Sequence, residues 1–276
     1  MSRASYGVLT KVLSNQTHID PMTQTFYLMV ASICWGILLS PFIGGLHLVI
    51  PPSAWMPLTV AILTSTLGNI WYFKGIKSLQ SASTQVIFSS IVIWNALLAW
   101  LILGSRLGTS QILGVLLLLI AILLAQYQGK RLHINRGAWY ILASAVAFAG
   151  FQITSAALSR QIATADYLVI TYAGNALLIG IYFARTIWSD MSHRSRRTSD
   201  LLKTAVITGA ASILYNLFAF IAYAHAPDPG IVVLLLTTQV IAGVMLSIIF
   251  LHEHDHLKTK LGAASLAVIA AMLIKS

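Results

Sequence analysis

The sequence predicts an all-α polytopic membrane protein made of two inverted five-helix repeats, with a first helix too short to cross. Three observations carry this reading: an apolar composition, hydrophobic segments of membrane length, and a pattern that returns at an offset of 148 residues. Of the 276 residues, 58% are hydrophobic and only 9% are charged, against about 45–50% and about 25% in a soluble domain. A soluble fold of this composition could not cover its own surface with polar groups. Soluble enzymes, disulfide-rich secreted modules and disordered chains are excluded.

Nine apolar stretches, near 25–45, 55–77, 80–103, 110–127, 137–158, 165–188, 203–225, 229–251 and 257–274, reach or approach a span, which takes about 20 residues. Pro51-Pro52, Gly104-Ser105-Arg106 and Asp228-Pro229 punctuate them as tight turns. The longest polar stretch, Ser189 to Lys203, holds His193, Arg194, Arg196 and Arg197 and reads as a loop. Before residue 25, Ala4 to Ser14 is amphiphilic. Its length of roughly 16 Å covers only half the hydrocarbon layer. The expectation is nine full spans plus a stub.

The repeat accounts for the stub. Leu103-Gly104-Ser105-Arg106-Leu107 followed by Gly114 parallels Leu251-His252-Glu253-His254-Asp255 followed by Gly262. Ser65-x3-Asn69 parallels Ser212-x3-Asn216 at an offset of 147. The first repeat is therefore 1–129, the linker 130–136 and the second repeat 137–276. Aligning Phe151-Gln152 with Tyr6-Gly7 leaves the first helix short by roughly nine or ten residues of the span length a helix needs. Five helices per half invert the second copy, the arrangement of many secondary transporters.

The net charge of +10, from 17 Lys and Arg against 7 Asp and Glu, fits cytoplasmic loops, which accumulate basic residues. No basic stretch is interleaved with stacking aromatics, so no nucleic-acid partner is expected. If the stub does not span, 14 of the 17 basic residues share one side, leaving Arg106, Arg160 and Lys275 opposite. That bias puts the N-terminus and the 189–203 stretch in the cytoplasm. Cys34 is the lone cysteine and forms no internal disulfide. Arg3 is followed by no apolar core or cleavage site of a signal peptide.

At this point the chain resembles the drug/metabolite transporter (DMT) superfamily, EamA type. Tyr72-Phe73-Lys74-Gly75-Ile76-Lys77 and Tyr223-Ala224-His225-Ala226 are similar to its third-helix endings, and Glu253 matches its acidic turn position. Tyr6-x4-Lys11 looks like the latter part of its first helix. Ser105 stands where the first-half Glu would be, and the usual fourth-helix Pro is missing near Trp94-Asn95. The resemblance implies a ten-span transporter with both termini in the cytoplasm, which conflicts with the charge bias over the 189–203 stretch. It implies a small-molecule substrate and the lipid bilayer as partners.

Asp20, Asp166, Asp190, Asp200, Asp228, Glu253 and Asp255 all sit in or beside loops. A membrane-embedded acid is the common proton-coupling device, so the small multidrug antiporter type is disfavoured. His225 and Lys74 are the remaining candidates for coupling. Asn95 and Gln239 fall on corresponding faces of the fourth and ninth segments, the former with Thr84, Phe88 and Ile91. Asn69 and Asn216 match on the third and eighth. An amide in hydrocarbon needs a neighbouring helix or a wet cavity. These four are expected around one cavity, with Tyr72, Trp94, Gln152, Tyr172, Asn175 and Tyr215 adding walls and hydrogen bonds.

His252-Glu253-His254-Asp255-His256 has the composition of a divalent-metal site, but a tight solvated turn is the favoured reading. No HExxH, GxSxG, P-loop or CxxC occurs, so no catalytic residue, metal or cofactor is assigned. Gly180, Gly209 and Gly243 are read as sites of close helix contact. The leading expectation is a secondary transporter in the bacterial inner membrane that exports a small polar or amphipathic metabolite. A lipid-linked sugar flippase of the same superfamily and a membrane-embedded metal-dependent enzyme are the alternatives.

Overall fold

The computed structural model describes residues 20–91, 93–95, 97–98, 108–125, 127–128, 131–132, 136–192, 195–226 and 257–275. Its helices are α1 (Pro21–Leu39), α2 (Trp55–Ser78), α3 (Ser81–Phe88), α4 (Thr109–Ala125), α5 (Arg136–Leu158), α6 (Thr164–Tyr182), α7 (Ala184–Ser192), α8 (Ser195–His225) and α9 (Leu257–Lys275). A two-residue antiparallel ladder, Tyr127–Gln128 with Arg131–Leu132, joins α4 to α5. The stub before residue 20, the segment 229–251 and the turns at 103–107 and 252–256 lie outside the described residues, as does Gln239.

Local chemistry sets the helix ends. Asp20 caps α1, its Oδ1 accepting from the Met22 amide at 2.8 Å, and Pro21 takes the first helical position. Ser40-Pro41 ends α1 in a short 3-10 turn, Ser40–Phe42, and Gly44 and Gly45 then adopt φ of 103° and 83°, which only glycine takes without strain. The following strap is pinned to the first turn of α6, where Asp166 Oδ1 accepts from the His47 amide at 2.8 Å. Asp166 thus lies beside a loop yet is buried.

The fourth segment breaks although it lacks a proline. Ser89 Oγ bonds the Val86 carbonyl, and the Ser90 and Ile93 amides bond three residues back, to Ile87 and Ser90. Serine hydroxyls compete with the helix ladder in this way. The chain re-enters a helix at Ile91.

The described residues of the stretch 189–203 are helical, not a loop. Its first residues close the amphipathic α7 and its remainder, from Ser195, opens α8. Ile187 on α7 is buried while Trp188 beside it is exposed, as expected of a helix lying along an interface. Asp190 accepts from the Asp20 amide at 3.0 Å and the Thr23 hydroxyl at 2.8 Å, so it adds negative charge at the α1 N-terminus. Helical polar residues at this boundary satisfy each other, which a composition-based reading takes for solvated chain.

α2 packs along α5, α1 lies between α6 and α8, α4 pairs with α9, and α3 leans on α4 and α5. Polarity runs opposite to that of a soluble bundle. Leu113, Leu116, Leu177, Ile181, Ile207 and Phe218 face outward, whereas Ser65, Thr66, Asn69, Gln152 and Asn175 are buried. Four helical stretches, Pro21–Phe42, Arg136–Leu158, Thr164–Tyr182 and Leu201–His225, are long and apolar enough to cross a bilayer, and Ile112–Leu124 and Leu261–Leu273 are shorter apolar helices. The protein is an all-α polytopic membrane protein.

Candidate functional site

Ser65, Asn69, Gln152, Thr171, Asn175 and Ser212 meet in one cavity of about 70 Å³, room for several waters at about 10–15 Å³ each. Residues of α1, α2, α3, α5, α6 and α8 line it. α2 and α8 contribute the duplicated motif. Asn69 Nδ2 donates to the Ser65 carbonyl at 2.8 Å, and Asn216 Nδ2 donates to the Ser212 carbonyl at 3.0 Å. The same side chain, four residues on, makes the same bond to its own helix in each half.

α6 supplies the partners. Asn175 Oδ1 accepts from Ser65 Oγ at 2.9 Å and Thr66 Oγ1 at 2.8 Å. One turn earlier, Tyr172 Oη accepts from Asn216 Nδ2 at 2.7 Å and shares a 2.7 Å hydrogen bond with Ser212 Oγ. Such interhelical bonds are worth about 0.6 kcal/mol each on average in a bilayer. Their larger effect is to fix which atoms face the cavity.

Aromatic rings close both sides of this polar belt. Tyr72, Phe88, Phe148 and Phe151 form an edge-to-face chain with neighbouring centroids 5.5, 5.6 and 6.1 Å apart. Toward the α6 N-terminus, Tyr167 stacks on Phe220 at 4.0 Å and 11°, with Ser155 hydrogen-bonded to the Tyr167 hydroxyl. Among the described residues, no Asp, Glu, Lys, Arg or His lines the cavity.

Of the ten residues expected around a cavity, Asn69, Tyr72, Gln152, Tyr172, Asn175, Tyr215 and Asn216 line this one. Trp94 and Asn95 do not. Asn95 Nδ2 donates instead to Gln152 Oε1 at 2.8 Å, so it stands behind a lining residue. Asn95 Oδ1 and Trp94 Nε1 are buried without a partner among the described residues. Gln239 is outside them. Lys74 and His225 stand at helix ends away from the cavity. The Lys74 ammonium lies 6.0 and 5.9 Å from the Tyr140 and Phe183 ring centroids, within cation–π range, and His225 Nδ1 lies 3.0 Å from the Ile221 carbonyl.

Sequence reasoning missed Tyr167, Thr171, Tyr223, Phe148 and Ser155 as lining residues. The usable signal was helical register: Tyr167, Thr171 and Asn175 recur every four residues on one face of α6. Of the glycines read as close contacts, Gly209 is the tightest, a Cβ there lying 2.8 Å from Ala31 Cβ. A Cβ at Gly180 would lie 3.1 Å from Phe26, and Gly243 is outside the described residues.

Comparison with known proteins agrees with this architecture. One solved crystal structure aligns with 98% of this chain and 95% of its own at TM-score 0.66 and 15% identity, a likeness of fold alone. The "Uncharacterized transporter YyaM" of Bacillus subtilis (strain 168) is 27% identical over 125 residues, 44% of this chain. The chain spans only 40% of that relative's length. Residues 1–127, just under half of the chain, match the EamA-like transporter family.

Proposed function

We propose that this protein is a secondary transporter that exports a small polar or amphipathic metabolite, amino-acid-like or related, by alternating access between two inverted repeats, 1–129 and 137–276. The observation that carries the reading is the pair of Ser-x3-Asn motifs, one from each half, lining a single polar cavity inside an apolar-clad bundle. Cargo sites of repeat-built transporters lie at the repeat interface near the bilayer midplane.

Helix packing supports the repeat. Ala31 and Gly174 each lie ten residues past the start of α1 and α6. Ile62 and Gly209 each lie seven residues before the motif asparagine. Gly174 receives the Ile62 side chain, and Gly209 receives Ala31. Equivalent positions therefore make the close contacts α2–α6 and α8–α1. α1 meets α6 and α4 meets α9, pairings that exchange of two five-helix halves preserves.

We orient the bundle with the α7 end in the cytoplasm. Lys74, Lys77, Arg131, Arg136, Arg185, Lys203 and Lys258 all stand near the helix ends on that side, as positive-inside bias requires. The transport reading is tested by comparing metabolite uptake and efflux in cells with and without the protein. Selective loss of efflux on deletion, restored by the wild-type gene, supports it; identical metabolite profiles overturn it. Orientation is tested with a Ser195→Cys variant, which an impermeant thiol reagent leaves unmodified in intact cells if the α7 end is cytoplasmic.

A further inference from the structure

We infer that the cavity selects solutes presenting N–H donors, an ammonium or a neutral amide edge, on an apolar body, and discriminates against carboxylates that carry no ammonium; this rests on the transport reading above. Selectivity of this kind depends on which cavity amides have a fixed sense. An amide can be turned end for end unless its hydrogen-bond partner has only one role. A backbone carbonyl only accepts, so the bonds from Asn69 Nδ2 to Ser65 O and from Asn216 Nδ2 to Ser212 O fix both side chains. Both hydrogens of Asn216 are committed, the second to Tyr172 Oη. Each asparagine lines the cavity and is held with its Oδ1 unused among the described residues.

The other two lining amides have no such constraint. Asn175 faces two hydroxyls, which donate or accept, and Ser65 Oγ also reaches the Ile62 carbonyl at 3.1 Å. Gln152 faces the Asn95 amide, and that pair can reverse together. The fixed polarity of the site is therefore two acceptors, one from each half, against one donor hydrogen uncommitted among the described residues, on Asn69 Nδ2.

The surroundings point the same way. No Lys, Arg or His lines the cavity among the described residues, so a carboxylate entering it would lose its hydration without gaining a counter-charge. An ammonium would meet two amide oxygens and the faces of aromatic rings, which attract cations. A neutral amide would meet the same oxygens without a charge to desolvate.

The test uses purified full-length protein in detergent and three probes sharing one apolar body: 2-phenylethylamine, 3-phenylpropanamide and 3-phenylpropanoate. Ligand-induced shifts in thermal unfolding give affinity, and counterflow in proteoliposomes gives flux. The amine or the amide is expected to bind at least about tenfold more tightly than the carboxylate, a 1.4 kcal/mol preference, and the comparison of those two separates charge from N–H donation. Asn69→Ala and Asn216→Ala are each expected to reduce that preference about tenfold. If Asn216→Ala does not fold, Asn69→Ala in the other half carries the same readout, and the wild-type ordering decides without any variant. Tighter binding of the carboxylate, or no response to the amine and the amide, overturns the inference. Binding without flux leaves the selectivity standing and sinks the transport reading; flux confined to the carboxylate does the reverse.

Discussion

Asn69 and Asn216 make the same bond to their own helices, yet their neighbourhoods differ. In the second half the motif serine and asparagine both reach Tyr172, so three side chains close a compact network within that half. In the first half the motif serine reaches Asn175 on α6, across the boundary between halves, and Asn69 keeps a single bond to its own backbone. The two motifs thus anchor on one helix, one turn apart. If the two halves are the repeats proposed above, the difference teaches where duplication has been kept and where it has been relaxed. The bond within each helix depends only on Ser-x3-Asn spacing and persists. The contacts to α6 depend on what that helix offers on each face, and they have diverged. α6 serves as a post that both halves grip, so altering its contacts probes the cavity from both directions.

The largest effect is expected at the equivalent glycine contacts. A Cβ at Gly209 would lie 2.8 Å from Ala31 Cβ and 3.1 Å from the Ser32 backbone nitrogen, whereas the nearest atoms to one at Gly174 belong to the side chain of Ile62, at 2.8 Å. Backbone cannot rotate away and a side chain can, so the two sites should respond unequally. Gly209→Val is expected to cost about 3 kcal/mol and Gly174→Val about 1 kcal/mol, the range for overpacking. Thermal unfolding in detergent measures both. Equal losses would show that α6 is as rigidly held as α1.

A smaller effect is expected from the hydroxyl that the second-half network shares. Tyr172→Phe removes a partner from Asn216 and from Ser212, both of which line the cavity. An unsatisfied buried polar group costs about 1–3 kcal/mol, and cavity water reduces that here, so about 1 kcal/mol is expected. Thr66→Val removes one of the two donors to Asn175 and should cost about 0.5 kcal/mol, within the measured range for hydrogen bonds in membranes. A larger loss for Thr66→Val than for Tyr172→Phe would make the boundary contact, not the compact network, the stronger anchor.

How much of this was legible in the sequence follows from what each residue depends on. Asn69 and Asn216 were legible because the repeat offset and helical register place them on matching faces, and their decisive bond is local. Tyr172 and Asn175 were legible as polar groups inside an apolar segment, which must find partners. Tyr167 and Phe220 were not, because stacking at 4.0 Å is decided by how α6 and α8 cross, and no local pattern encodes a crossing. The 189–203 stretch was read as a loop because its charges outweigh its apolar residues. The buried face of α7 is a single residue, Ile187, and its capping role depends on Asp20, 170 residues away. Asn95 was placed on the correct side of its helix but one layer too far in, since the serine break at Ser89-Ser90 has no proline to announce it.

That displaced layer supplies the mildest test. Asn95 touches the cavity only through Gln152, whose Oε1 takes its amide hydrogen at 2.8 Å. Asn95→Leu removes that donor and also Asn95 Oδ1, which has no partner among the described residues, two changes of opposite sign for stability, because a buried group without a partner is itself costly. Folding stability and protein abundance should therefore change little, by under about 1 kcal/mol. Gln152 loses the contact that orients it and is free to turn in the cavity, so transport should weaken by a rise in KM of a few-fold with the maximal rate kept. Gln152→Leu removes the lining group itself and should raise KM further. Measuring both variants in proteoliposomes, with abundance normalised by immunoblot, distinguishes a positioning residue from one that meets the cargo. An Asn95→Leu effect equal to or larger than that of Gln152→Leu would put Asn95 itself in contact with substrate, and the fourth helix would then turn toward the cavity during the cycle.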